Sequence, residues 1–190
     1  MTTKKRIIVG ISGATGIIYG IRALEVLRRL NIETHLIVSK AAEMTLHYET
    51  DLTIKELRRL ADVNYGIQDV GSAIASGSFP TMGMLIAPCS IKTMSAIANS
   101  VTDNLLTRAA DVVMKERRRL VLLLRETPLT ASHLKNMLAI TESGGIIAPP
   151  VPAFYTRPQT LDDIVNHTVG RALDLFGIDT GEFSRWGETK

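Results

Sequence analysis

Residues 7–21 read Ile7-Ile8-Val9-Gly10-Ile11-Ser12-Gly13-Ala14-Thr15-Gly16-Ile17-Ile18-Tyr19-Gly20-Ile21, and their order decides the fold class. Ile7 to Val9 are β-branched and apolar, a short strand with no polar face. The glycine turn Gly10–Gly16 follows. After it Ile17, Ile18, Ile21, Leu24, Leu27 and Leu30 recur at three- and four-residue spacing, one stripe of an amphipathic helix. Strand, glycine turn and helix in that order open a βαβ unit.

The alternation continues outward. His35-Leu36-Ile37-Val38 predicts a second strand ending at Ser39-Lys40, and helical stretches follow over 41–48 and 53–60. Residues 62–81 are irregular, rich in Gly and Ser around Ser76-Gly77-Ser78-Phe79-Pro80. Strands are expected at 84–87, 120–124 and 146–148, with helices through Ala98, over 103–117, through Leu134 and Leu138, and over 161–176. The pattern predicts an α/β protein of three layers, a parallel sheet with helices on both faces. The 190 residues show no linker, repeat or low-complexity tract, so 1–190 reads as one domain.

Composition narrows the function classes. Net charge is +3, with 22 Lys and Arg against 19 Asp and Glu, and no run of five like charges. A nucleic-acid surface would show a concentrated basic stripe, so no nucleic-acid partner is expected. The apolar stretch after the basic N-terminus is broken at Gly10, Ser12 and Gly13, too short for a signal sequence or a membrane span, which makes the cytoplasm the expected location. A single cysteine, Cys89, forbids an internal disulfide; it reads as a small apolar residue at a strand end. His35, His47, His133 and His167 are scattered without ligand spacing, and no Asp-rich pair for Mg²⁺ is present, so no metal is expected.

Ligands of such sheets bind at the carboxyl ends of the strands, where helix N-termini point unpaired N–H groups outward. The unusual residues collect there: Ser12 to Thr15, Ser39, Ser90 to Thr93, and Arg125-Glu126. Read alone, the turn GISGATG is either a plain tight β–α turn or a phosphate cradle in which Ser12 and Thr15 offer hydroxyls. It lacks the Gly-Lys-Ser/Thr close of a Walker loop. Its GxxGxxG spacing and the missing acid after the second strand also exclude a dinucleotide fingerprint. FMN, which needs no ribose-gripping acid, fits better. Pro88-Cys89-Ser90-Ile91-Lys92-Thr93 repeats the arrangement at the third strand. Capping accounts for Ser90 but not for Lys92, whose charge opposes the dipole of a first helical turn.

Together these motifs, with Glu49-Thr50-Asp51-Leu52, SGSF from Ser76, RAADVVMKERR from Arg108, RETPL from Arg125 and PPVPAFYTRP from Pro149, resemble the flavin prenyltransferases of the UbiX type. The likeness runs in order over nearly the whole chain. It implies a Rossmann-like, flavodoxin-type domain and a homododecamer with FMN at subunit contacts. The implied activity joins a dimethylallyl group from dimethylallyl monophosphate to reduced FMN, giving prenylated FMN for a UbiD-type decarboxylase. By the same resemblance Gly13, Ala14, Thr15, Ser39, Ser90, Ile91, Lys92, Thr93 and Arg125 contact FMN. Lys115, Tyr155 and Arg171 hold the substrate phosphate, and Thr15, Glu49 and Glu126 complete the catalytic set. Many such relatives carry serine at the position of Thr15. The hydroxyl is kept here and the added methyl narrows the pocket, a change also found in relatives tied to aromatic-acid decarboxylation. The resemblance implies a product that serves either ubiquinone synthesis or a phenolic-acid decarboxylase.

Prenyl transfer needs an anion clamp, a sheltered apolar chamber and a reduced flavin. The helical spacing of Ile164, Thr168, Arg171 and Leu175 predicts a partly buried guanidinium that takes either a phosphate or a salt bridge to Asp163 or Asp174. Tyr155 is either a hydroxyl held by the proline-stiffened loop or an aromatic plug, and Lys115 either a phosphate ligand or part of a cationic helix end. Glu126 either handles a proton or pairs with Arg125. Phe79 and Trp186 either pave the chamber or pack at subunit contacts. Two rivals share the fold: a flavin-dependent cysteine decarboxylase, against which the segment PCSIKT counts, and a passive FMN carrier, which needs no phosphate clamp.

Overall fold

The computed structural model describes residues 5–181. Six parallel strands form one sheet: β1 (Arg6–Ile11), β2 (Glu33–Val38), β3 (Val63–Tyr65), β4 (Gly83–Cys89), β5 (Arg119–Leu124) and β6 (Ile146–Ile147), in the spatial order β3-β2-β1-β4-β5-β6. The helices are α1 (Ile17–Arg29), α2 (Lys40–Glu49), α3 (Ile54–Arg59), α4 (Ile91–Ala98), α5 (Leu105–Lys115), α6 (Ala131–Glu142) and α7 (Leu161–Asp174). The three-layer α/β architecture expected from the alternation is the one observed.

Strand β3 was not expected. It has three residues, lies at the sheet edge and exposes Asn64, too little for any periodicity to register. Set it aside and the remaining five strands follow the flavodoxin-type order 2-1-3-4-5; with it, the sheet has the doubly-wound order.

Because alternate residues of a strand face opposite ways, β1 feeds two cores. Ile7, Val9 and Ile11 pack with Ile17, Ile21, Leu24 and Leu27 of α1 and Val169 and Leu173 of α7. Ile8 packs on the other face with Met84, Ile86, Met94 of α4 and Leu106, Ala109 and Ala110 of α5. Chain crossovers therefore leave β1 and β4, which are neighbours, toward opposite faces (Ile8 pairs with Met84). Their carboxyl ends form the switch point at which α/β sheets bind ligands.

Candidate functional site: a cleft at the β1–β4 switch point

The glycine turn ends at Gly16, which caps α1 with φ 95°, a left-handed conformation that glycine adopts without a Cβ penalty. Gly13 is required for a different reason: a Cβ there would lie 2.3 Å from the Cβ of Ala41, so the turn can reach α2 only without a side chain. Ser12 corrects an expectation. Its hydroxyl is not offered to a phosphate but is buried, 1% exposed, donating to the Pro88 carbonyl at 3.1 Å and accepting from the Ser90 N–H at 2.8 Å. It is the strut that ties the end of β1 to the end of β4.

Thr15 and Glu49, 34 residues apart, meet at the start of α1. The Thr15 hydroxyl donates to Glu49 Oε1, and the N–H groups of Gly16 and Ile17 each donate to Glu49 Oε2 at 2.9 Å. A carboxylate on a helix N-terminus is favourably placed against the dipole. Here it takes the position at which the turn was expected to receive a phosphate.

The open anion site lies one step along the sheet edge, in a cleft of about 340 Å³. Five of the expected FMN contacts line it: Gly13, Ser39, Ser90, Lys92 and Thr93. Ser39 caps α2 by accepting from the Ala42 N–H at 3.1 Å, and Ser90 caps α4 by accepting from the Thr93 N–H at 3.3 Å. Asn104 caps α5 by accepting from the Thr107 N–H at 3.1 Å. Three helix N-termini thus converge on one cleft, each carrying a partial positive charge. Exposed Lys40 and Lys92 add full charges, opposed by Asp103. The wall from Ile67 and Gln68 and the α5 start from Asp103 to Thr107 were missed by sequence reasoning. The Asn104 cap, followed by an apolar run, was the readable signal.

Ala14 and Ile91 do not line the cleft, though each neighbours a residue that does. Arg125 and Glu126 stand at the same end of the sheet, just past β5, where the Arg125 N–H donates to the Cys89 carbonyl at 3.0 Å. The Arg125 side chain is exposed and makes no ion pair or hydrogen bond among the described residues. Glu126 accepts from the Thr127 N–H at 3.0 Å, and no Arg125–Glu126 pair forms. Cys89 is buried, and burial drives its thiol pKa far up, so it stays a neutral, unreactive thiol.

Tyr155 and Arg171 lie away from the cleft, Tyr155 in the turn Phe154–Thr156 and Arg171 on α7. Tyr155 is half exposed, and its hydroxyl lies 3.2 Å from His167 Nε2 with the rings edge-on at 5.8 Å. Arg171, one turn on, is half-buried, its side chain 47% exposed, and it pairs with Asp174 at 2.5 Å, the salt bridge expected as the alternative to a phosphate. The helical stripe was read correctly, but Thr168, Val169 and Ala172 take the inward positions and leave Arg171 at its margin. Burial and the Arg171 charge hold His167 below the ordinary imidazole value.

Lys115 lies where the reading of a cationic helix end put it. It closes α5 at the end away from the cleft, about 15 Å from Leu105 at 1.5 Å per residue, and pairs with Glu116 at 2.6 Å. Within one chain it does not reach the other site residues. Phe79 lies at that far end too, edge-on to His35 at 4.9 Å and under the Arg6 guanidinium at 5.6 Å, so it packs within its own chain. Trp186 lies outside the described residues. Among the described residues no group of three His, Cys, Asp or Glu side chains is placed to hold a metal, and no helix is long and apolar enough to cross a membrane.

Comparison with known proteins agrees with this geometry. The flavoprotein family model matches residues 1–173. The chain is 59% identical over 185 residues to the flavin prenyltransferase UbiX of Escherichia coli, covering 96% of this chain and 98% of that one. The crystal structure of AnUbiX in complex with FMN and dimethylallyl pyrophosphate superposes with a TM-score of 0.96 at 51% identity, over 98% of this chain and 100% of that one. A dodecameric FMN-dependent UbiX-like decarboxylase from Escherichia coli superposes at 0.94 with 47% identity, over 96% and 100%.

Proposed function

The chain belongs to the flavoprotein family and, within it, to the flavin prenyltransferases of the UbiX type, and from that premise we propose how its residues divide the work. The reaction joins a dimethylallyl group to reduced FMN, with phosphate as the leaving group. Reduced FMN supplies the electron-rich ring that accepts the five-carbon unit.

The observation that carries the assignment of residues is the convergence of three capped helix N-termini on the 340 Å³ cleft. Its polar rim suits the phosphate and ribityl chain of a mononucleotide, and its volume lies within the range of small-ligand pockets. In this reading Gly13, Ser39, Ser90, Thr93 and Arg125 bind FMN, and Lys92 adds charge at the rim. Ala14 and Ile91 shape the backbone beside it. Thr15 and Glu49 hold the start of α1 rigid as the neighbouring wall. Tyr155 and Arg171 take the substrate phosphate, which they meet as hydroxyl donor and guanidinium. Glu126 carries the proton at the β5 end.

Lys115 joins this set only from a second copy of the chain, which supports a homo-oligomer whose sites are completed at subunit contacts; we take the assembly to be a dodecamer. One domain over 1–190, dimethylallyl monophosphate as donor, a cytoplasmic location and a UbiD-type decarboxylase as recipient complete the proposal. The cysteine-decarboxylase and carrier readings are not favoured, since relatives identical at more than half of their positions bear the prenyltransferase name.

The test is made in one tube. Purified protein is mixed with reduced FMN and either dimethylallyl monophosphate or the pyrophosphate, and the extracted flavin is weighed. A flavin that gains five carbons from the monophosphate is expected; a bound flavin that never gains them refutes the activity. Arg171→Ala should lose turnover while keeping FMN, and loss of FMN instead would place the phosphate site wrongly.

A further inference from the structure

His167 was expected to be structural or exposed, and nothing above gives it a task. The geometry of α7 does. His167 and Arg171 are four residues apart and share a helix face, while Tyr155 arrives from the loop between β6 and α7 (Phe154–Thr156 form one 3₁₀ turn). Tyr155 Oη lies 3.2 Å from His167 Nε2, with the two rings edge-on, so the loop tyrosine is tied to the arginine's helix at this point.

We propose that His167 is a positioning residue for prenyl transfer, holding the Tyr155 hydroxyl on the face of α7 that carries Arg171 so that phosphate meets both together. The proposal rests on the reading that Tyr155 and Arg171 take the substrate phosphate.

The chemistry requires an imidazole in one form. A phenol that gives its proton to His167 cannot give it to a phosphate. The neutral ring must therefore carry its proton on Nε2 and donate it to the Tyr155 oxygen, leaving the phenolic O–H directed outward. Burial and the Arg171 charge keep the ring neutral near pH 7. The same neutrality keeps a second cation from forming against Arg171 before substrate arrives. Tyr155 stays half exposed, open to a ligand on its outer side, while its inner edge is fixed.

The whole protein, loaded with reduced FMN, tests this with dimethylallyl monophosphate as the varied substrate. His167→Phe keeps the edge-on ring and removes the nitrogen. It should raise KM for the prenyl phosphate about three- to tenfold, the range covered by one lost hydrogen bond, with kcat much less affected. FMN affinity should not change. His167→Gln, whose amide can donate to the Tyr155 oxygen, should recover KM to within about twofold. In a Tyr155→Phe background, adding His167→Phe should cost nothing more, because its partner is already gone. If His167→Phe does not fold, His167→Asn, whose amide is too short to reach Tyr155, takes its place in both comparisons. An unchanged KM in the histidine variant, or a full additional loss in the double variant, overturns the positioning role while Tyr155→Phe still raises KM. If Tyr155→Phe leaves KM unchanged, the phosphate reading itself falls, and this proposal with it.

Discussion

Ser12→Ala isolates the strut between the two central strands. The substitution removes a single non-hydrogen atom, yet both hydrogen bonds of the hydroxyl go. The Pro88 carbonyl keeps the Ser12 N–H at 3.1 Å and loses little. The Ser90 N–H loses its acceptor at 2.8 Å and, half-buried at the cleft rim, has no other protein partner. Leaving such a donor unpaired costs about 1–2 kcal/mol. For a chain of this size each kcal/mol moves Tm by about 2–4 °C, so a drop of about 2–8 °C is expected. FMN affinity should fall with it, because the cleft wall at Ser90 is located through Ser12. Thermal melts and quenching of flavin fluorescence read the two effects. Ser78→Ala is the control: its hydroxyl pairs only with the exposed Ser76, and it should stay within about 0.5 kcal/mol of the parent. A Ser12→Ala protein that melts with the control and binds FMN with parental affinity would refute the strut.

Gly13→Ala forces a methyl to 2.3 Å from Ala41 Cβ, where backbone lies behind at 3.0 Å, so the turn or α2 must move. A stability loss of about 1–3 kcal/mol is expected, with FMN binding weakened more than in Ser12→Ala; urea melts and flavin titration check both. His167 carries a pH dependence whose sign follows from its lowered pKa. The unfolded chain binds a proton near pH 6.5 and the folded chain only below it, so stability is full above about pH 6.5 and declines as pH falls toward the folded value. Denaturant melts across that window should show a shallower decline in His167→Gln; an identical slope would contradict it.

How much of this was legible beforehand depended on sequence distance. The strand–turn–helix at residues 7–29 and the capped starts at Ser39 and Ser90 are local, and their periodicity and residue types gave them away. The strut of Ser12 and the Glu49 cap join residues 78 and 34 apart, and no local rule links such pairs. Lys115 was legible as the cationic end of α5, whereas the phosphate role given by resemblance depends on a second copy of the chain, which no local rule reaches. Arg171 was legible because its partner Asp174 lies three residues on along the same helix, within reach of a local rule.

The carboxylate of Glu49 on the first helix has a consequence for competition in a cell. Nicotinamide dinucleotides dock their pyrophosphate on the equivalent helix start of related sheets. In this chain that berth is taken by a permanent, covalently tethered occupant whose negative charge repels any newcomer. A dinucleotide's pyrophosphate brought to this helix start would meet the Glu49 carboxylate already paired with the Gly16 and Ile17 N–H groups. Reassigning it to dinucleotides would require evicting Glu49 before any change to the second strand could matter.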